Sequence, residues 1–218
     1  MSVEASCVAE PSARLPSNMR RKPNPDQRRR ELCDAAIELL AVEGVKGVSH
    51  LKVDRKAQVP DGTTSFYFRT RSALLRAVAA RVAELDLADL EAATKPRVAS
   101  NGPSGLARLV MRSATGARLT RTKARHALAL QGANDPALDE ALRTYSERFA
   151  GLIGDAVQTL QPDRTPDADL AEMQAYALTM FISGILLGYV TGDRRIRSAE
   201  QLDRLMAGII VGVANVSR

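Results

Sequence analysis

The 218-residue chain is long enough to bury a core without disulfides or a structural metal. Its two cysteines, Cys7 and Cys33, match no metal-ligand spacing and are poorly placed for a disulfide, so we expect no metal, no cofactor and a reducing, cytoplasmic location. The formal net charge of +6 is concentrated at the front, where residues 20–81 hold 14 Lys and Arg against 7 Asp and Glu, a pattern that indicates contact with nucleic acid.

Residues 1–25 combine four prolines, scattered serines and the basic run Arg20-Arg21-Lys22, which predicts a disordered basic arm. The first residues lack the basic start and long apolar block of a secretory signal. The longest apolar stretch, residues 178–190, is interrupted by polar residues and glycines and is shorter than the roughly 20 residues of a membrane span. We therefore expect a buried helix there and no membrane partner.

Apolar spacing and capping signals predict four helices in the front of the chain. In order they are a helix capped by Asp26 that runs to about Glu43 and stops at Gly44, a short helix capped by Ser49, a short helix from Thr63 to Tyr67, and a long helix from Arg71 to about Ala93. Five further helices are expected near 105–122, 123–132, 137–160, 167–191 and 199–216. No segment alternates with the period of two that strands show, so the predicted fold class is all-α.

Residues 49–68 predict a helix, a tight turn and a second helix, the arrangement of a helix-turn-helix. The second helix of such a unit lies in the major groove, so its outward positions favour small donors and acceptors. Thr63, Thr64, Ser65 and Tyr67 form that outward set. Either Phe66 or Phe68 is expected to point inward and anchor the helix.

The segment Gly62-Thr63-Thr64-Ser65-Phe66-Tyr67-Phe68, followed by Arg69 to Leu75, resembles the head of the tetracycline-repressor (TetR) family, and the likeness extends over about 26–80. Three residues depart from the family pattern. Asp54 stands at a small-residue position, Gln58 at the usual turn glycine and Ser72 at a usual acid. An acid at position 54 has two interpretations, an ion pair with Arg55 or Lys56 or a cap on the third helix.

The resemblance implies three parts: the arm at 1–25, a helix-turn-helix DNA-binding domain at 26–80 and an all-helical ligand-binding and dimerisation domain at 81–218. It implies phosphate clamps at Ser49 and Arg71. The DNA-binding residues that it implies are Ser49, His50, Lys52, Arg55, Gly62, Thr63, Thr64, Ser65, Tyr67, Phe68 and Arg71, with Arg20, Arg21, Arg28 and Arg29 reaching flanking DNA. The implied partners are double-stranded operator DNA, a second copy of the chain and an unidentified small-molecule effector.

Glycines recur every fourth residue in the last two predicted helices, which permits close approach between helix backbones. Because each glycine inside a helix costs about 0.5 to 1 kcal/mol relative to alanine, so many of them suggest a packing reason. A homodimer interface is predicted, with an intrachain contact as the alternative. The interface residues are Gly184, Gly188, Ile209, Gly212 and Val213.

Adaptable methionines and aromatic rings in the body suit an apolar ligand pocket, and they suit an ordinary core equally well. The pocket candidates are Met111, His126, Tyr145, Phe149, Met173, Tyr176 and Met180. The sequence does not name the effector.

Catalysis has little support, because the chain has two histidines and no GxSxG, P-loop or GxGxxG motif. The predicted function is therefore that of a sequence-specific transcriptional regulator, a ligand-responsive homodimeric repressor. A ligand-independent regulator or an activator on the same fold remains an alternative.

Overall fold

The computed structural model describes residues 24–95, 102–159, 161 and 167–216, and all regular secondary structure in them is helical, which confirms the all-α prediction. The α-helices are α1 (Pro25–Glu43), α2 (His50–Lys56), α3 (Thr63–Tyr67), α4 (Arg71–Thr94), α5 (Gly105–Arg112), α6 (Gly116–Gly132), α7 (Pro136–Thr159), α8 (Ala168–Val190) and α9 (Ala199–Val216), with a 3₁₀ turn at Val45–Gly47. Residues 1–23 of the predicted arm lie outside the described residues.

The first helix begins two residues earlier than predicted. Asn24, not Asp26, is its N-cap, and the Asn24 side chain accepts a hydrogen bond from the Asp26 amide at 3.1 Å. Pro25 occupies the first turn, where its missing N–H costs nothing and its fixed φ favours the helix. Gly44 then ends α1 at a φ of 67°, as its position predicted.

The next two helices are capped by side chains, the first of them by Ser49 as predicted. The Ser49 hydroxyl accepts a hydrogen bond from the Lys52 amide at 3.3 Å at the start of α2. Thr70 caps α4 in the same way, accepting from the Ala73 amide at 3.1 Å. In the head, defined as α1 to α3 with the first half of α4, the first turns of α1, α2 and α4 are therefore each capped by the residue that precedes the helix.

The core of the head extends into the rest of the chain. Its fully buried residues include Leu32, Val53 and Leu74, and the same cluster contains Leu128 of α6 and Leu138 of α7. The head is thus packed against one end of α6 and α7, in addition to its covalent link through α4.

The break between α5 and α6 lies at residues 113–115, and the prediction of a break at 122/123 was wrong. Gly116 has a φ of 60°, a left-handed conformation that a glycine adopts without strain and that separates the two helices. Thr122 lies in the middle of α6, where its hydroxyl donates to the Arg118 carbonyl at 2.9 Å and follows the helix.

The body, defined as α5 to α9 with the second half of α4, has its own apolar core. Leu90, Leu106, Ile153, Leu178 and Leu202 belong to its buried cluster. Residues from the second half of α4 and from α5, α7, α8 and α9 together form this core.

The helix α8 is longer than the apolar stretch predicted from the sequence. It is the one described helix long and apolar enough to cross a membrane, and 33% of that span is buried within the chain. Gln174 is fully buried and donates to the Ile210 carbonyl at 2.9 Å, which ties α8 to α9. One side of α8 thus packs as a core helix, and its opposite side is exposed and apolar.

Candidate nucleic-acid interface

A buried carboxylate orients α3. Asp54, 1% exposed, accepts hydrogen bonds from the Gly62 amide at 2.8 Å, the Thr64 amide at 2.7 Å and the Thr64 hydroxyl at 2.5 Å. It therefore caps the third helix, the second of its two interpretations, and does not pair with Arg55 or Lys56. A charged acceptor at a helix N-terminus is also favoured by the helix dipole, although α3 is short.

The outward position predicted for Thr64 is contradicted by the structure. Thr64 is completely buried because its amide and hydroxyl both face Asp54. Phe68, 4% exposed, is the inward anchor of the helix and is a core residue of the head, so a direct DNA contact is also contradicted for it. Both residues hold α3 in place.

The solvent face of α3 is formed by Ser65 and Phe66, with Thr63 and Tyr67 half-buried beside them. Phe66 is 72% exposed and meets the ring of Tyr67 edge-on, with centroids 5.2 Å apart. The Ser65 hydroxyl donates to the Gly62 carbonyl at 2.9 Å and keeps its lone pairs for an incoming donor. The helix thus presents one aromatic ring and one acceptor at its centre.

The turn before α3 uses two left-handed residues. Gln58 has a φ of 55°, the conformation that the family's usual glycine adopts without cost. Gly62 has a φ of 94° and is exposed, with open space around its missing side chain. The departure at position 58 therefore keeps the turn and places strain on the glutamine.

Two exposed arginines of the head, Arg55 on α2 and Arg69 directly after α3 in the chain, have no carboxylate within ion-pair distance in the described part of the chain. Lys52 differs, because its ammonium group lies 2.5 Å from Glu43. Arg29 lies over the rings of Tyr67 and Phe68, with its guanidinium carbon 5.6 Å and 5.3 Å from the two centroids. Unpaired surface cations beside a groove-sized helix are suited to phosphate contacts.

Arg71 and His50 both support the backbone of the head. The Arg71 guanidinium donates to the Val48 carbonyl at 3.0 Å and the Val45 carbonyl at 2.5 Å, so α4 is bonded to the turn before α2. His50 Nε2 lies 2.7 Å from the Phe68 carbonyl at the end of α3. Ser49 is exposed at the start of α2, and its hydroxyl caps that helix. The DNA contacts expected of Arg71, His50 and Ser49 remain predictions.

The residues proposed for a ligand pocket do not line one cavity, which contradicts the prediction of a single shared pocket. Met173, Tyr176 and Met180 are about half exposed, at 55%, 63% and 49%, because they lie on the outer side of α8. Tyr176 and Met180 line an open groove between α7 and α8, whereas Phe149 lines a separate narrow cavity between α4 and α8.

The other three pocket candidates are internal. The Met111 sulfur accepts a hydrogen bond from the Tyr189 hydroxyl at 3.3 Å, a core contact. His126 Nε2 is buried without a hydrogen-bond partner among the described residues. Burial, followed by the neighbouring charge of Arg125, lowers the pKa of His126. Burial raises the pKa of Tyr145 to about 12, so its hydroxyl stays protonated.

A cluster of charged residues that the sequence analysis missed joins α4 to α6. Asp86 accepts from Arg121 at 2.9 Å and from Arg125 at 2.6 Å, while Asp89 accepts from Arg118 at 2.7 Å and also pairs with Arg121. Burial would raise the pKa of Asp89, but the hydrogen bonds from Arg118 and Arg121 outweigh it and lower the pKa. The sequence does hold a signal for this cluster, because Arg118, Arg121 and Arg125 are three and four residues apart and so share one face of α6.

The glycines of α8 and α9 mark an exposed face. At Gly184, Gly208 and Gly212, an added side chain would meet nothing within 4 Å, so no intrachain contact requires them. Gly188 is different, because a β-carbon added there would lie 3.4 Å from the side chain of Asp193 in the following loop. Ile209 is half-buried, as is Val213.

Comparisons with known proteins find a match in solved structures but none in sequence-based searches. No protein-family model matches the chain, and no curated protein matches it in sequence. A crystal structure of a protein described as a transcriptional regulator from Pseudomonas aeruginosa PAO1 has a TM-score of 0.69 at 18% identity, over 88% of this chain and 92% of that one, a likeness of fold.

Two further structures are more similar in sequence. A member of the TetR family from Streptomyces coelicolor A3 is 26% identical over 84% of this chain and 98% of its own, with a TM-score of 0.62. The multidrug binding protein EbrR, crystallised with ethidium, is 25% identical over 84% and 98%, with a TM-score of 0.60. The all-helical fold of this chain is therefore similar to that of solved transcriptional regulators of the TetR family.

Proposed function

We propose that this protein is a transcriptional regulator that binds operator DNA as a homodimer, with α3 in the major groove, and that a small molecule bound in its body controls the binding. The observation that carries the proposal is the rigid mounting of α3. Its inner side is fixed by Asp54 and Phe68, and its outer side presents Ser65 and Phe66 to solvent. A helix that is fixed on one side and bare on the other has the form of a groove reader.

The charges around α3 support DNA over a protein as the partner. Arg55 and Arg69 are exposed on α2 and directly after α3, without a carboxylate partner in the described residues, which leaves their charges available to phosphate. We assign Arg55 and Arg69 to backbone contacts. Ser65, Phe66 and the partly exposed Thr63 and Tyr67 are assigned to base contacts.

A dimer supplies the second recognition helix, since one short helix makes too few base contacts for useful discrimination. The exposed face of α8 and α9 is suited to that contact. It holds small residues at Gly184, Gly208 and Gly212, and apolar side chains stand beside them at Met180, Leu187, Leu205 and Val211. We propose that a second copy covers this face, which accounts for an apolar surface of this extent on a cytoplasmic protein.

Control by a small molecule is supported by the family and by one neighbour. EbrR is a multidrug binding protein crystallised with ethidium, imidazole and proflavin. The body of this chain contains a polar, partly buried cluster on α4 and α6, and α4 runs directly from the head. A ligand that moves α4 relative to α6 would change the distance between the two heads of a dimer.

Gel retardation of the DNA upstream of the protein's own gene, compared with a random duplex, tests the DNA-binding proposal. We expect Arg55→Ala to weaken binding to both duplexes and to lower the salt slope by about one, as one lost phosphate contact requires. Phe66→Ala should weaken binding to the specific duplex and leave the random duplex unaffected. Equal affinity of the unaltered protein for both duplexes would contradict sequence-specific binding.

A further inference from the structure

We propose that Arg29 of α1 is a positioning residue for base selection. Its guanidinium lies against the rings of Tyr67 and Phe68 and so fixes the ring pair Tyr67–Phe66 on the outer side of α3. This role rests on the proposed function, since it adds a residue that determines the specificity of the same helix. Arg29 needs no contact with a base to fulfil it.

The end of α3 depends on contacts from outside the helix. With five residues, α3 is little more than one turn long, and a helix of that length is not stable by itself. Asp54 fixes the first turn through Gly62 and Thr64. Because the helix ends at Tyr67, no following turn of α3 packs against the ring of that residue. Another element must therefore set its orientation.

Arg29 supplies this contact from α1. Its guanidinium carbon lies 5.3 Å from the ring centroid of Phe68, which is buried in the head core, and 5.6 Å from that of the half-buried Tyr67. A planar guanidinium is suited to stacking on aromatic faces. The Tyr67 ring in turn meets Phe66 edge-on, at 5.2 Å and 85°. The most exposed ring of α3 is thus linked through Tyr67 and Arg29 to the core.

Arg29 differs from the arginines on either side of it. Arg28 pairs with Glu31 at 2.8 Å, and Arg30 pairs with Glu84 at 3.6 Å. Arg29 has no carboxylate within ion-pair distance in the part of the chain that the structure describes. The two rings, and no ion pair among these residues, therefore set the position of its guanidinium.

Arg29→Lys separates positioning from charge, because lysine keeps the positive charge and lacks the planar group that stacks on both rings. Anisotropy titrations compare its affinity for the operator and for a random duplex. We expect the ratio of the two affinities to fall about two- to fivefold, the value of one exposed cation–π contact. Binding to the random duplex and the salt slope should be unchanged. Arg29→Ala should also weaken the random duplex and lower the salt slope by about one.

Arg30→Lys is the matched control, because Arg30 is the next exposed arginine on α1 and pairs with α4. It should retain the affinity ratio of the unaltered protein. An Arg29→Lys protein with an unchanged ratio would show that Arg29 contributes charge alone. Equal losses on both duplexes would assign it a general role in stability. Either result would overturn the proposal.

Nuclear magnetic resonance of the tyrosine rings tests the contact without DNA. The chain has four tyrosines, so Tyr67→Phe assigns the signals of Tyr67 by their loss. Arg29→Lys should shift these signals and leave those of Tyr145, Tyr176 and Tyr189 in place, whereas Arg30→Lys should shift none. Unshifted Tyr67 signals in Arg29→Lys would overturn the positioning role. An unaltered protein that does not distinguish operator from random duplex would instead contradict the proposed function, so the two failures are distinguishable.

Discussion

Asp54 is the residue on which the position of α3 depends most. The sequence showed an acid where the family has a small residue, and two partners were possible for it. The structure gives it three hydrogen bonds from the first turn of α3, including both the amide and the hydroxyl of Thr64. Thr64 could not be assigned correctly from the sequence. A threonine in this helix can hydrogen-bond to a DNA base, and it can equally well donate to a buried acceptor on the neighbouring helix, as it does to Asp54.

Asp54→Ala is therefore expected to destabilise the head by about 2 to 4 kcal/mol, since it leaves buried donors without an acceptor. Urea unfolding at fixed protein concentration measures the loss. Asp61→Ala is the control, because Asp61 is exposed in the turn before α3 and should change stability by less than about 0.5 kcal/mol. Similar losses for the two variants would refute the capping role.

Phe66 was expected to compete with Phe68 for the inward position, and the structure places it outward at 72% exposure. A phenylalanine ring in the major groove is suited to the methyl group of thymine. Replacing one contacted thymine by uracil should weaken binding by about 0.8 kcal/mol, or roughly fourfold, the value of one buried methyl group.

Anisotropy titrations of thymine and uracil operators check this expectation with two variants. Phe66→Ala should bind both operators equally, whereas Ser65→Ala should keep the preference for thymine. A thymine preference that survives Phe66→Ala would assign the methyl contact to another residue.

His126 gives the body a defined pH dependence. Its pKa in the folded protein is lowered from the ordinary value of 6.5 by burial and by Arg125, so the unfolded chain binds the proton more tightly. Stability is then fully present above about pH 6.5 and is lost as the pH falls below it.

Urea unfolding at pH 7.5 and pH 5.5 should show a larger loss for the unaltered protein than for His126→Leu. Asp89 does not obscure the comparison, because its pKa is lowered and it stays ionised over this range. Equal losses in the two proteins would show that His126 is not the titrating group.

At the scale of the helices, the front of the chain was predictable because each end carries a local signal. Ser49 caps α2, and Gly44 ends α1, in the positions that their types favour. The α5–α6 boundary was not predictable in the same way. Its signal is the left-handed Gly116, and a glycine between two apolar stretches is also tolerated inside a helix. The ion pairs between α4 and α6 depend on how two distant helices pack, which periodicity along one helix does not specify.

The helices α8 and α9 carry the prediction for assembly. Gly212→Leu adds a side chain in open space within one chain, so the fold should be retained, while the bulk should separate two copies that meet at this face. We expect sedimentation to show a monomer at micromolar concentration with an unchanged helical circular dichroism signal.

Gly151→Leu on α7 is the matched control, because it also adds bulk without an intrachain clash. It should remain a dimer. A Gly212→Leu protein that sediments as a dimer would show that the interface lies elsewhere.

At the scale of the whole molecule, two apolar cores meet along α4. The head core includes Leu74 and Val78 from the first half of this helix, and the body core includes Leu90 from the second half. Leu128 of α6 also lies in the head core, so α4 and α6 both connect the two parts. A change in the spacing of α4 and α6 would therefore act on the head through its covalent link and through its packing.

Two copies of this chain are proposed to bind DNA by placing α3 in the major groove of two half-sites. Selection of duplexes from a random pool by the full-length protein tests this most directly. We predict an inverted repeat whose half-sites are separated by about one helical turn, roughly 10 base pairs, or a multiple of it. We also expect Phe66→Ala to alter the preferred bases inside each half-site. Recovery of no common sequence, or of a single unrepeated site unaffected by Phe66→Ala, would contradict the proposal.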